Sequence, residues 1–170
     1  MLTKFFLKKV ESSITTEGRK LIEEFFITFS RFECALKNSI EFAKGNEARV
    51  DANWDKFINS IAKDFAYDKD PELKSAVEFL LQKPPKIQNL ENDRLNWRNR
   101  VFEANTLDIT KLCLHIRDIR NNLFHGGKFN GNYERDVSRN YQLLQASLRI
   151  LNDWLTYNVD IKDKFSSDFA

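Results

Sequence analysis

The sequence predicts an all-α fold, a bundle of about five to seven helices that form a single domain over residues 1–170. Apolar residues recur at steps of three and four along most of the chain, which is the spacing of a buried helical face. The 170 residues include only five Gly and three Pro, too few for the many tight turns of a β-sandwich or barrel. Hydrophobic residues make up 42% of the chain, so a core can form without disulfides or metals.

Three helices are predicted in the first half of the chain. Each has apolar residues at helical spacing, and they cover about Thr16–Ala43, Asp51–Phe65 and the stretch from Asp70 to Pro84. Gly45 is expected to end the first helix, as a glycine near a C-cap commonly does. The start of the third is well marked, because Asp70 is a good N-cap and Pro71 is tolerated in a first turn.

Two further helices are predicted in the second half, after a long polar connection over residues 86–105. One begins near Asn105 or Thr106 and is closed by Gly126-Gly127; its buried stripe is Ile109, Leu112, Ile116, Ile119 and Leu123. The last carries an apolar face of Val137, Tyr141, Leu144, Leu148, Leu151 and Leu155, which could pack in the bundle or against a second copy of the chain. Residues 161–170 are expected to form a frayed tail.

Composition leaves the partners of the chain open. The net charge is +2, but the stretch from Lys111 to Arg149 holds seven basic and three acidic residues. This basic zone suits a phosphate backbone, and it is equally compatible with a solvated helix face.

The cysteines and the N-terminus indicate a cytoplasmic protein. Cys34 and Cys113 lie in apolar helical patterns and lack metal-ligand spacing, so both are expected to be buried free thiols, and no metal or cofactor is expected. The N-terminal apolar run is too short for a signal peptide, and no stretch is long enough to span a bilayer.

The concentrated chemical signal is the stretch from Arg120 to His125. RNA supplies its own nucleophile, the 2′-hydroxyl, so a protein that cleaves it must move protons and stabilise charge on the phosphorus. A histidine that titrates near neutrality suits the proton step, and an arginine fork suits the phosphate oxygens. Asn121 could hold the phosphate or fix an imidazole tautomer, and Lys128 could contact the flanking backbone.

A purely structural interpretation of the same residues stays open. Arginine near a helix C-terminus commonly satisfies carbonyls, and Asn residues before Gly-Gly are ordinary capping chemistry. In a straight helix Arg120 and His125 would diverge by about 140°. If the helix unwinds near Asn122 to Phe124, the two side chains can turn toward a common point, so the break expected at Gly126-Gly127 matters to the catalytic hypothesis.

The stretch Arg120-Asn121-Asn122-Leu123-Phe124-His125-Gly126-Gly127-Lys128 resembles the defining motif of the HEPN superfamily (higher eukaryotes and prokaryotes nucleotide-binding): Arg, a polar residue, several positions, then His. Its placement between two long helices, late in a helical chain, agrees with that family. A second stretch, Phe29-Ser30-Arg31-Phe32-Glu33-Cys34-Ala35-Leu36-Lys37, resembles the early helix of some small bacterial HEPN proteins.

This resemblance implies a HEPN-like bundle that cleaves RNA, including tRNA, without a metal. It also implies a homodimer with a composite active site, and a role as a toxin or antiviral effector under an antitoxin or another regulator. Arg120 and His125 would be the catalytic pair, with Asn121 at the polar motif position. Glu33, and less directly Arg31, would approach the site from the first predicted helix, although Glu33 could instead pair with Lys37 four residues on.

Two other functions fit the same sequence. Some HEPN domains bind RNA or nucleotides without cleaving them, and here the basic zone and exposed aromatic residues could hold a single strand. Alternatively, the apolar face of the last helix could make the chain a protein-interaction module. His115 is a reserve candidate for the proton step, and Asp118 could pair with it.

Overall fold

The computed structural model describes residues 2–124 and 137–167. Over these residues the chain is mostly helical and also contains two small antiparallel hairpins. Its elements are α1 (Leu2–Ser13), α2 (Thr16–Lys37), β1 (Ala43–Asn46), β2 (Arg49–Ala52), α3 (Trp54–Ile61), α4 (Pro71–Gln82), β3 (Lys86–Glu91), β4 (Arg94–Asn99), α5 (Asp108–Phe124), α6 (Val137–Trp154) and α7 (Val159–Ser166), with short 3₁₀ turns at Tyr67–Lys69 and Leu155–Tyr157. The prediction of a mainly helical fold is confirmed, whereas the expectation of a fold without strands is wrong.

The core lies between α2, α4 and α6, and the shorter helices close its sides. Helix α6 packs against both α2 and α4, while α5 packs against α3 and α4, and α7 packs against α2. The largest side chains buried there are aromatic or aliphatic, and they come from five helices and one loop: Phe25, Phe32, Leu36, Phe42, Phe57, Ile58, Leu73, Leu80, Leu112, Ile116, Leu143 and Trp154.

The start of α4 matches its prediction. The side chain of Asp70 accepts a hydrogen bond from the backbone N–H of Leu73 at 2.8 Å, and Pro71 occupies the first turn. Lys83 ends the helix just before Pro84. Capping depends on residues that are close in the sequence, so the sequence alone predicted this helix start.

The predicted helix over residues 16–43 was too long at its C-terminal end. Helix α2 ends at Lys37, where Asn38 caps it and donates its N–H to the carbonyl of Cys34. Ile40 is fully exposed, although it was expected on the buried face. Gly45 lies inside β1 rather than at a C-cap, with a φ of 143° and no room for a Cβ beside the carbonyl of Arg49.

The long connection predicted over residues 86–105 is instead a β-hairpin. Strands β3 and β4 pair from Lys86↔Asn99 to Glu91↔Arg94. Asn92 and Asp93 connect them, and both have a positive φ (49° and 58°), which gives a turn that matches the twist of paired strands. Apart from its root, the hairpin is largely exposed, so its strands lack the apolar alternation that would have predicted them.

The tail expected to fray forms α7 as far as Ser166. Asn158 caps its start by accepting from the N–H of Ile161, whose side chain is fully buried. Arg31 caps the other end, donating to the carbonyls of Phe165 (2.7 Å), Lys164 (3.2 Å) and Ser167. Residues 168–170 lie outside the described part of the chain.

The apolar face of α6 belongs to the core. Leu144, Leu148, Leu151 and Leu155 are each at most 8% exposed. This face is therefore used inside the chain, and the protein-interaction hypothesis loses the surface on which it was built.

Candidate functional site around Arg120

Helix α5 carries Arg120 at the edge of its buried stripe. Ile109, Leu112, Ile116 and Ile119 are all buried in the core, so the helix is anchored along its length. Arg120 follows Ile119 directly, and its side chain remains 37% exposed. The buried stripe therefore places the guanidinium of Arg120 at the surface, next to the apolar core.

Three contacts orient the guanidinium of Arg120. Its Nη1 donates to Oδ1 of Asn121 at 3.0 Å, and its Nη2 lies 3.7 Å from Oε2 of Glu33 on α2. Its central carbon lies 5.7 Å from the centre of the Phe29 ring, within the range of a cation–π contact. The structure therefore brings together Arg120, Asn121 and Glu33, as the sequence motifs predicted.

Trp54 fixes the carboxylate that faces Arg120. Its indole Nε1 donates to Oε1 of Glu33 at 3.2 Å. The indole itself is buried and stacks on Phe29 and Phe32, with ring centres 5.4 and 5.1 Å apart. The part of Trp54 and Phe29 in this site was not predicted from the sequence; the available signal is that a buried indole N–H needs an acceptor.

Glu33 does not form the alternative pair with Lys37. Among the described residues, Glu33 forms an ion pair with Arg120 and not with Lys37. The interpretation of Glu33 as a simple i,i+4 surface pair is therefore wrong.

Arg31, which was assigned to the site, and Asn122, which lies within the motif, make contacts elsewhere. Arg31 points to the end of α7 and not to Arg120. Asn122 is buried and donates to the carbonyl of Lys86 at 2.8 Å, which ties the root of the β3–β4 hairpin to α5. Both residues have structural roles in these contacts.

The second half of the motif lies outside the described residues. These are His125, Gly126-Gly127 and Lys128. Helix α5 remains regular through Phe124, so the unwinding expected between Asn122 and Phe124 does not occur.

A pocket adjoins Arg120 and is lined mainly by residues of α2 and α5. It has a volume of about 510 Å³ and lies between the first half of α2 and the last turns of α5. Most of its lining is apolar and consists of Ile14, Ile22, Phe25, Phe26 and Leu123. Three charged side chains complete it: Arg19, Glu23 and Arg120. Sequence reasoning did not find this pocket, since its two walls are a hundred residues apart.

His115 and Asp118 form a buried cluster with Arg100. Nε and Nη2 of Arg100 donate to the two carboxylate oxygens of Asp118 at 2.8 and 2.6 Å, and this bonding raises the pKa of Arg100. His115 is buried beside the ring of Phe102, and Nδ1 of His115 has no hydrogen-bond partner. Burial lowers the pKa of His115 to about 4, so its imidazole is uncharged at neutral pH and does not suit the reserve catalytic role, and the carboxylate of Asp118 bonds to Arg100.

Several cations of the predicted basic zone are used internally. Lys111 pairs with Asp108, Arg149 pairs with Asp70, and Arg139 donates to the carbonyls of Lys83 and Pro84. Local charge is therefore a weaker argument for RNA binding than the count of basic residues implies.

The cysteines are free, and Cys113 is buried as predicted, whereas Cys34 is half-buried. Burial raises the pKa of Cys113 to about 12, so its thiol stays protonated. Within residues 2–124 and 137–167, no three His, Cys, Asp or Glu side chains are grouped as a metal site requires. None of the helices described combines the length and hydropathy needed to cross a bilayer.

Comparisons with family models, with curated proteins and with solved structures gave no match. The resemblance to HEPN proteins therefore rests on the sequence motif alone.

Proposed function

We propose that the chain is a metal-independent endoribonuclease of the HEPN type. The observation that carries the proposal is the oriented guanidinium of Arg120, held by Asn121 and Glu33 on the surface, five residues before His125. A guanidinium in a fixed orientation is a preorganised site for the negative charge that develops on a phosphate during cleavage.

The proposed reaction is transfer within the RNA itself. The 2′-oxygen attacks the adjacent phosphorus and the bond to the 5′-oxygen breaks, which leaves a 2′,3′-cyclic phosphate and a free 5′-hydroxyl. Arg120 stabilises the added charge on the phosphorus oxygens, and His125 handles a proton, either from the 2′-hydroxyl or to the leaving oxygen. Asn121 and Glu33 act as positioning residues for Arg120.

The biological setting is part of the same proposal. We expect a cytoplasmic toxin or phage-defence effector that acts on tRNA or other RNA and is restrained by an antitoxin or another regulator. We also expect a homodimer in which two Arg120–His125 motifs form one composite site. Light scattering over a range of protein concentrations tests the dimer, and a strict monomer would contradict it.

Cleavage of total RNA and of tRNA in excess EDTA tests the activity. Wild type is expected to produce cyclic phosphate ends, while Arg120→Ala and His125→Ala are each expected to lose at least about 100-fold in rate. Arg117→Ala is the matched control, because Arg117 is a half-buried arginine three residues earlier on α5. Activity that survives in the Arg120→Ala/His125→Ala double variant would rule out this proposal.

A non-catalytic RNA- or nucleotide-binding domain is the second candidate. The pocket beside Arg120 favours it, because an apolar cavity with arginines at its edge can retain a nucleotide without any chemistry. Salt-sensitive RNA binding by folded protein, with no cleavage under any condition, would select this function over the nuclease.

A further inference from the structure

The pocket beside Arg120 combines two kinds of surface. Its interior is formed by aliphatic and aromatic side chains, with Phe25 fully buried in one wall and Phe26 about half exposed. Its charged members are Arg19 and Arg120 against the single carboxylate of Glu23. The site is thus apolar inside and has two guanidinium groups at its edge, which suits a flat apolar group attached to an anion.

We infer that this pocket binds the unstacked base of a nucleotide whose phosphate lies at Arg120, so that the substrate is single-stranded RNA. The inference rests on the proposed function, because it uses Arg120 as the phosphate site. A nucleobase attached to a phosphodiester has both required properties, an aromatic plane and a nearby negative charge. The half-exposed ring of Phe26 provides aromatic surface for the plane, and guanidinium groups provide the counter-charge.

The geometry of the pocket sets the class of RNA. Its volume of about 510 Å³ falls within the range of small-ligand sites and can accept a base with its sugar. Bases in a duplex are stacked and paired, so they cannot enter a side pocket while their phosphate contacts Arg120. Single-stranded loops and ends can release a base at little cost.

The lining also indicates weak base preference. Five of the eight lining residues are apolar, so the interior can contact the faces of a base but offers few groups that distinguish its edges. We therefore expect purines to bind better than pyrimidines through their larger stacking area, with little further discrimination.

Binding of small probes tests the pocket separately from catalysis. Calorimetry is used to compare adenosine 5′-monophosphate with ribose 5-phosphate, which has the same phosphate and sugar but no base. Wild type is expected to bind the nucleotide at least about 10-fold more tightly. Phe26→Ala should remove most of this difference, and Ile22→Trp, which fills the pocket, should abolish it.

Ile27→Ala is the matched control. Ile27 is the next residue of α2, is exposed to a similar extent as Phe26 (57% against 53%), and does not line the pocket. Circular dichroism confirms that each variant is folded. Phe26→Ala keeps the test decisive if Ile22→Trp does not fold.

Three results would overturn the inference. They are equal affinity for the two probes, unchanged nucleotide binding in Phe26→Ala, and binding of laurate with no binding of nucleotide, which would assign the pocket to a fatty-acid anion. RNA cleavage together with equal probe affinities would refute the base pocket while leaving the nuclease intact. Base-dependent binding without cleavage would refute the nuclease and retain the pocket.

Discussion

The indole Nε1 of Trp54 donates to Oε1 of Glu33 over 3.2 Å. The other carboxylate oxygen of Glu33 lies 3.7 Å from Arg120. A buried residue of α3 therefore positions a carboxylate of α2, which in turn orients a guanidinium of α5. This arrangement makes the orientation of Arg120 depend on the packing of the core.

Removal of the indole donor should reduce cleavage without removing any group that touches RNA. Trp54→Phe keeps an aromatic ring against Phe29 and Phe32 but leaves Glu33 without its hydrogen bond. We expect the free energy of unfolding to fall by about 1–3 kcal/mol, from the lost bond and the smaller ring. The RNA cleavage rate should fall about 3- to 10-fold with little change in KM, as measured by urea unfolding and steady-state kinetics.

Glu33→Gln separates charge from packing. Glutamine retains an oxygen that can accept from Trp54, but it loses the negative charge that faces Arg120. We expect stability to change by less than about 1 kcal/mol, because the pair is partly exposed, while the cleavage rate still falls. Wild-type rates in both this variant and Trp54→Phe would show that Glu33 does not orient Arg120.

Local rules explain which elements the sequence predicted. The start of α4 follows from Asp70 and Pro71 alone, and the stripe of α5 follows from helical spacing. The end of α2 was missed because Asn38 is an unremarkable cap, and the glycine that seemed to mark it serves strand β1. The β3–β4 hairpin was missed because its exposed strands carry no alternating apolar pattern.

The site was predictable only where a motif marked it. Arg120 and Asn121 were found from the chemistry of the stretch between Arg120 and His125, and Glu33 through the family resemblance. The support from Trp54 and the pocket wall from Phe26 depend on contacts between distant segments, which no local pattern encodes. The role of Arg31 also depends on a contact between distant segments. Its position in the motif-like stretch of α2 indicated the site, but its side chain caps α7.

The buried ion pair of Arg100 and Asp118 should respond unequally to loss of its two partners. The side chain of Asp118 is 6% exposed, whereas that of Arg100 is 30% exposed and can turn toward water. Arg100→Met, which leaves a buried carboxylate unpaired, should cost about 2–4 kcal/mol of unfolding free energy. Asp118→Asn should cost less, about 1–2 kcal/mol. Urea unfolding at neutral pH measures both, and equal losses would mean that water reaches Asp118 once Arg100 is gone.

His115 should make the fold less stable in mild acid. Burial lowers its pKa from 6.5 to about 4, a shift that Arg100 and Lys111 reinforce and Asp118 opposes. The unfolded chain therefore takes up a proton below about pH 6.5 that the folded chain refuses until about pH 4. The stabilisation that comes from keeping His115 neutral in the folded chain is fully present above pH 6.5. It is lost as the pH falls, and the loss amounts to about 2 kcal/mol between pH 7 and pH 5.

Comparison with His115→Phe isolates this effect from the titration of carboxylates. The phenylalanine variant keeps an aromatic ring next to Phe102 and cannot take up a proton. We expect its unfolding free energy to depend on pH less steeply than that of wild type over this interval. Parallel pH profiles for the two proteins would contradict the assignment of the acid sensitivity to His115.

Gly18 of α2 packs directly against the ring of Tyr141 on α6. A Cβ built on Gly18 would lie 2.0 Å from Oη and 2.3 Å from Cζ of Tyr141, so the whole ring would have to move. The same hydroxyl lies 3.2 Å from Oγ1 of Thr15, the N-cap residue of α2, so that movement would also disturb the cap. Helix propensity alone favours alanine by up to about 1 kcal/mol, but overpacking typically costs about 1–3 kcal/mol.

We therefore expect Gly18→Ala to destabilise the protein by about 1–2 kcal/mol. A double-variant cycle identifies the cause. In a Tyr141→Ala background the obstacle is gone, and Gly18→Ala should become neutral or stabilising because only the propensity gain remains. Urea unfolding of the four proteins gives the coupling energy. The same loss in both backgrounds would show that Gly18 is required for its backbone and not for the space that Tyr141 occupies.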